Sequence, residues 1–329
     1  MRLLKPVLAG LCAISLLAAA TPYSARAEFT RPSRIAFPET GSYSPQKAAL
    51  GKMLFFDARL SRGQNLSCAS CHNPSFGWES PVPRAIGGLN RPLKRHTPTL
   101  ENLAEATAFF WDGRAATLEE QARSPITHPD EMDSSLPDVV RRLSAISGYR
   151  RNFAIAFPEE GLTETSVLAA LATYQRTLRS GWSPFDDWIE GDEDAISSAA
   201  RRGFEVFTGV ARCNECHSGW SFTDHDFHRV GVGGEDIGRG LIDPALAYGF
   251  KTPGLRNIAL RAPYMHNGSL GTLRDVVAHY RQGGTTVAGH PSELTPLQIS
   301  DRQASDLVAF LETLTAYEPH VSTPALPVD

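Results

Sequence analysis

The 329-residue sequence predicts a mainly α-helical protein assembled from two similar units. Two observations carry this. Two look-alike helical segments, Gly51-Lys-Met-Leu54-Phe55 and Gly203-Phe-Glu-Val206-Phe207, stand about 150 residues apart. Each is followed, after an intervening stretch, by an amphipathic run with apolar residues at helical spacing, 166–178 and 304–314. Little reads as strand, and glycine-rich loops fill 231–240 and 283–289. The pattern breaks at 181–198, where Trp182-Ser-Pro184, Gly191 and an acidic run interrupt it, and residues 186–194 read as a solvated linker. The division is therefore 28–190 and 191–329. With 42% hydrophobic and 21% charged residues, collagen, coiled coil and wholesale disorder are excluded. The net charge of −4 is spread without a basic block, so nucleic acid is not an expected partner.

Residues 1–27 read apart from the rest. Arg2 and Lys5 precede an apolar run over 7–20, and Ala25-Arg26-Ala27 offers a small-x-small cleavage site before Glu28. This is the three-part pattern of an export signal. The run is too short to span a bilayer, and no other stretch is long and apolar enough, so the mature chain is not expected to be membrane-spanning. Cleavage removes Arg2, Lys5 and Arg26, leaving 29 basic against 36 acidic residues, a net charge of −7. It also removes Cys12, so the mature cysteines are Cys68, Cys71, Cys213 and Cys216.

All four sit in one pattern, repeated: Cys68-Ala-Ser-Cys71-His72 and Cys213-Asn-Glu-Cys216-His217. C-x-x-C-H is the attachment motif of c-type haem. Two thiols one helical turn apart can add to the two vinyl groups of one haem, and the adjacent histidine then lies under the iron as its proximal ligand. A zinc site needs more Cys or His at ligand spacing, and a redox disulfide pair has no need of histidine after both pairs. The expectation is two covalently bound haem c groups in two small cytochrome c-like domains. Covalent attachment takes place outside the cytoplasm, in agreement with the export signal.

With both motifs in place, the chain resembles the bacterial di-haem cytochrome c peroxidase family, including its MauG-like branch. The resemblance spans about 44–317. It includes Arg95-His-Thr-Pro-Thr99, Phe110-Trp-Asp-Gly-Arg-Ala115, Phe250-Lys-Thr-Pro-Gly-Leu-Arg-Asn257 and Ala262-Pro-Tyr-Met-His-Asn-Gly268. It implies a periplasmic oxidoreductase that reacts with hydrogen peroxide at the N-terminal haem and moves electrons through the C-terminal one. Trp111, 39 residues after His72, matches the tryptophan between the haems and is the implied relay. Gln121, Pro125 and Glu131 match the open side of the first haem. Peroxide must lose a proton from its iron-bound oxygen and gain one on the departing oxygen, so Glu131 is the acid–base candidate and Gln121 its polar neighbour. Members needing reductive activation carry a removable histidine 16 residues after the first haem histidine. That place is Gly88 here, which implies an open first haem at rest. Ordinary members ligate the second haem with a methionine 14 residues after the histidine of the Ala262 segment. Here that place, counted from His266, is Tyr280, as in the MauG-like branch, with Met265 as the other candidate. A phenolate is a hard anionic donor and favours oxidised iron. Calcium is left open. The family's asparagine place is His96, a poor match to a cation that wants oxygen, although the carbonyls of Arg261 and Pro263 correspond. His225, His228, His279, His290 and His320 fit no ligand spacing and read as surface or packing residues.

The electron source stays open between a small cytochrome c or copper protein and the tryptophan side chains of a partner protein. The methylamine dehydrogenase maturase uses a surface tryptophan two residues before its second motif, and that place is Ala211 here. The rival reading is a di-haem electron carrier without catalysis, with both irons closed.

Overall fold

The computed structural model describes residues 26–35, 37, 43–317 and 321–328. Most of the expected export signal, with Cys12, lies outside them.

The helices follow the sequence periodicity. In the first half they are α1 Pro45–Phe55, α2 Cys68–Cys71, α3 Leu118–Thr127, α4 Leu136–Ser144, α5 Ser147–Ala156 and α6 Glu164–Thr177. In the second half they are α7 Pro184–Ile189, α8 Ser198–Thr208, α9 Leu273–Gln282 and α10 Asp301–Glu312. Ser or Thr caps most of them. Thr163 and Ser300 form capping boxes with Ser166 and Gln303, so the two late amphipathic helices start where the orphan N–H groups find acceptors.

Each unit is built on one helix crossing. In the first, α1 lies against α6; in the second, α8 lies against α10. Both crossings are close enough to demand glycine. A Cβ on Gly51 would lie 1.9 Å from the Ala170 carbonyl oxygen, and one on Gly203 would lie 2.0 Å from that of Asp306. Aromatic pairs repeat the correspondence: Phe55 meets Tyr174 at 5.5 Å and Phe207 meets Phe310 at 5.0 Å between ring centroids.

Two main hydrophobic cores result. One gathers Leu54, Ile126, Val139, Phe153, Val167 and Leu171; the other gathers Phe204, Phe207, Phe222, Leu307 and Phe310. The second core also takes in Phe29, Phe185 and Trp188, from the stretch that the sequence assigns to the first unit. The acidic run corrects the linker expectation at 186–189, which lies in helix α7, while Glu190, Asp192, Glu193 and Asp194 are exposed as expected. Asp186 is buried, accepts from the buried Arg256 at 2.7 Å, and closes a capping box with Ser183. Its neighbours Phe185, Trp188 and Ile189 face the core, so the charge is paired inside rather than solvated.

The only strands among the described residues are β1 Phe227–His228 and β2 Phe250–Lys251, an antiparallel pair with Phe227 opposite Lys251. This ribbon joins the halves, since the Lys251 N–H donates to the Trp111 carbonyl at 2.8 Å. Arg95 adds a second tie, pairing with Asp112 at 2.7 Å and with Asp236 at 2.6 Å. Among the described residues no helix is long and apolar enough to cross a membrane.

Candidate active site

The two motifs fold alike. The His72 N–H donates to the Cys68 carbonyl at 2.8 Å, and the His217 N–H to that of Cys213 at 2.9 Å, so each turn brings both thiols and the histidine to one side. All four cysteines are free. His72 Nδ1 lies 3.0 Å from the Trp78 carbonyl and His217 Nδ1 lies 2.9 Å from that of Phe222. A carbonyl can only accept, so Nδ1 carries the hydrogen and Nε2 is left as the free donor to a metal. Burial lowers both rings, His72 to about 4, so they are neutral imidazoles, the form that binds iron. The residues therefore fit two proximally ligated haems.

A cavity of about 960 Å³ opens beside the first motif. Cys68, Cys71 and His72 line it, and so do Trp111, Gln121, Pro125 and Glu131, which the fold brings together. Gln121 and Pro125 are one turn apart on α3 and share its inner face. The helix is anchored by Thr117 at its N-cap and by Glu119, which receives both terminal nitrogens of Arg176 on α6 at 2.8 and 2.9 Å. Glu131 follows in a loop pinned at both ends of its backbone. Its N–H donates to the His128 carbonyl at 3.0 Å and its carbonyl accepts from the Gly88 N–H at 2.6 Å. Burial raises the Glu131 carboxyl above its usual range. Gly88 offers the first site no ligand, and a Cβ there would sit 2.7 Å from the Glu131 carbonyl oxygen.

Trp111 is buried in the wall of this cavity, and its indole N–H donates to the His96 carbonyl at 2.8 Å. His96 is held on every side. Its Nε2 is 3.0 Å from a Glu79 oxygen, its Nδ1 is 3.2 Å from the carbonyls of Val82 and Pro83, and its N–H donates to His266 at 2.7 Å. Lys251, which the sequence reading did not single out, also lines the cavity. Its ammonium donates to the Ala108 carbonyl at 2.8 Å, and burial lowers it to about 8. A buried ammonium with a neutral partner suits the carboxylate groups of a haem. No periodicity or motif spacing could have marked it.

At the second motif, Tyr280 stands on α9. Burial pushes its hydroxyl up, and Cys213 and Cys216 add to the push, so the phenol is within electrostatic reach of both sulfurs. Met265 packs against the second core, at a positive φ of 74°. Cys216, Asp224 and His228 also cluster, within 4.8 Å of one another. Since Cys216 belongs to the second motif, that cluster adjoins this site, and His228, read as a surface or packing residue, pairs with Asp224 at 2.8 Å. Ala211 is buried, 5% exposed. A half-exposed Trp220 lies three residues past His217, with its indole N–H on Glu105 at 2.9 Å.

Known proteins are similar over most of the chain. A family profile described as di-haem cytochrome c peroxidase matches residues 45–194. The methylamine utilization protein MauG of Methylorubrum extorquens is 51% identical over 92% of this chain and 87% of its own. Cytochrome c551 peroxidase of Pseudomonas aeruginosa is 34% identical over 86% and 83%. The crystal structure of a MauG-like protein associated with microbial copper homeostasis superposes with a TM-score of 0.81, at 30% identity, over 89% of this chain and 95% of that one. The mainly helical fold is that of these di-haem proteins, and the closed, non-catalytic electron carrier is not favoured by them. The chain therefore belongs to the di-haem cytochrome c peroxidase and MauG family, as a peroxide-dependent oxidoreductase with two haem groups.

Proposed function

We propose that the protein is an exported, periplasmic member of the MauG-like branch, which uses hydrogen peroxide to draw electrons from a partner protein. Cys68 and Cys71 would hold one haem through thioethers with His72 as an iron ligand, and Cys213 and Cys216 would hold the other with His217. When bound, the first haem supplies the iron at which peroxide is cleaved, and the second supplies the redox centre through which electrons arrive.

The chain's own residues do the rest. Glu131 takes the proton from peroxide and returns it to the departing oxygen, from a carboxyl whose raised protonation suits both steps. Gln121 offers a polar neighbour on the same wall, and Pro125 contributes bulk with no N–H of its own. Trp111 carries electrons between the two sites, its indole fixed by the His96 carbonyl.

The observation that carries the MauG-like assignment is Tyr280. The Tyr280 hydroxyl, raised by burial and by the nearby Cys213 and Cys216, has no reason to ionise alone. Tyr280 would hold a ferric iron bound at that place as its phenolate, since the cation favours the ionised form. An anionic oxygen ligand lowers the potential of the second haem, which suits slow oxidation of tryptophan side chains in a bound protein. Rapid turnover with a small cytochrome c or copper protein suits a methionine-ligated haem better. The test is a redox titration of Tyr280→Met. The substitution raises the reduction potential of the second haem alone; an unchanged potential, or a methionine-to-iron charge-transfer band already present in the wild type, shifts the ligand to Met265.

A further inference from the structure

We propose that Glu79, held between His96 and Arg261, fills the place between the haem sites that the family gives to calcium, and that this triad positions Trp111 without a bound cation. The proposal rests on Trp111 as the relay only in its second half.

Calcium takes six to eight oxygen ligands. Here the carboxylate beside the corresponding place is fully used. Glu79 Oε1 accepts from Arg261 Nε at 2.8 Å and from the Thr99 N–H at 3.1 Å, and Oε2 accepts from His96 Nε2 at 3.0 Å. All three side chains are buried, at 4%, 2% and 1% exposure for Glu79, Arg261 and His96. The neighbours are wrong as well. Both ring nitrogens of His96 are taken up, one by the Glu79 carboxylate and the other by the carbonyls of Val82 and Pro83, so neither is turned toward a cation. A divalent cation would then meet the Arg261 guanidinium on the one carboxylate at hand. Two backbone carbonyls, those of Arg261 and Pro263, are not enough to repay that.

The same network reaches the relay. Arg261 also donates to the carbonyls of Gly254 and Arg256, at 2.7 and 3.0 Å. Its stem lies over Gly77, where a Cβ would come within 2.5 Å of Arg261 Cγ. Glu79 thus ties the segment after the first haem motif to the segment before His266. From this knot the His96 backbone extends two bonds, its carbonyl accepting from the Trp111 indole and its N–H donating to His266. Trp111 is one residue removed from the triad, so tilting His96 moves the indole. Glu79, His96 and Arg261 are positioning residues in this account.

The experiment uses the di-haem holoprotein. Calcium is quantified after desalting, and the peroxide-driven oxidation of the second haem is timed by stopped flow with and without chelator. The expected result is substoichiometric calcium and an unchanged rate. Stoichiometric calcium, whose removal alters the haem spectra or slows the second haem, overturns the proposal. Glu79→Gln should slow oxidation of the second haem roughly 10–100-fold, the usual cost of losing an outer-shell partner, with the peroxide reaction at the first haem unchanged. Equal slowing at both haems, or at neither, removes the positioning role. If Glu79→Gln does not accumulate, His96→Gln keeps one contact and is read in the same way. The calcium measurement does not depend on Trp111 carrying electrons, so failure of the relay and failure of this proposal are distinguishable.

Discussion

A carboxylate that moves a peroxide proton must change protonation state near the working pH, and burial shifts Glu131 in that direction. Replacing it with glutamine keeps the shape and removes the proton. Glu131→Gln should slow peroxide cleavage by roughly 10²–10⁴-fold with both haems still bound, as measured by stopped flow. The pH dependence has a definite sign. The raised carboxyl loses its base form as the pH falls, so the wild-type rate should drop on the acid side at a pH above the ordinary carboxylate range. That limb should be missing in the mutant. Trp111→Phe keeps an apolar ring but is much harder to oxidise, so oxidation of the second haem should slow while peroxide consumption at the first persists. An unchanged second-haem rate ends the relay role. At this scale the sequence was legible unevenly. The candidate ligands His72 and His217 announce themselves, because attachment chemistry demands an unbroken local motif. Glu131 and Tyr280 could be named only through resemblance, since the motif cysteines they approach come from distant segments. Lys251 was missed because a buried cation leaves no pattern in its own segment.

Helix crossings explain why the repeat could be read so early. Gly51 and Gly203 stand in matching segments because each lets an N-terminal helix touch the backbone of a late one. Substitution there cannot be absorbed by moving a side chain, since the obstacle is a carbonyl. Gly51→Val should therefore destabilise the first unit by about 3 kcal/mol or more, read as a lower urea midpoint, because overpacking and a β-branched residue act together. A midpoint within error of wild type would mean that α1 and α6 can slide apart. Asp186, at the start of the acidic run, shows the opposite case. Charge density alone reads as solvent exposure. What overrides it is Arg256, about 70 residues away, which pairs with Asp186 inside the second core. Long-range partners of this kind are invisible to periodicity.

Across the whole molecule the ends of the chain cross over. Phe29, just past the expected cleavage site, stacks on Phe222 in the second core at 4.8 Å. At the other end the Pro327 carbonyl accepts from Arg59 in the first unit at 3.1 Å. Each end thus clasps the unit built by the opposite half, which the division of the sequence at residue 190 did not anticipate. Intact mass after acid–acetone extraction should equal the mature chain plus two haems; the bare-chain mass would remove covalent attachment.

The most direct test of the central claim is electron paramagnetic resonance on the resting ferric protein. In the proposed reading, Gly88 gives the iron of the first haem no distal ligand, and Tyr280 would close the second. The account predicts one high-spin and one low-spin signal, with the high-spin signal consumed by one equivalent of peroxide and no prior reduction. Two low-spin signals, and no reaction with peroxide until the protein is reduced, would contradict it.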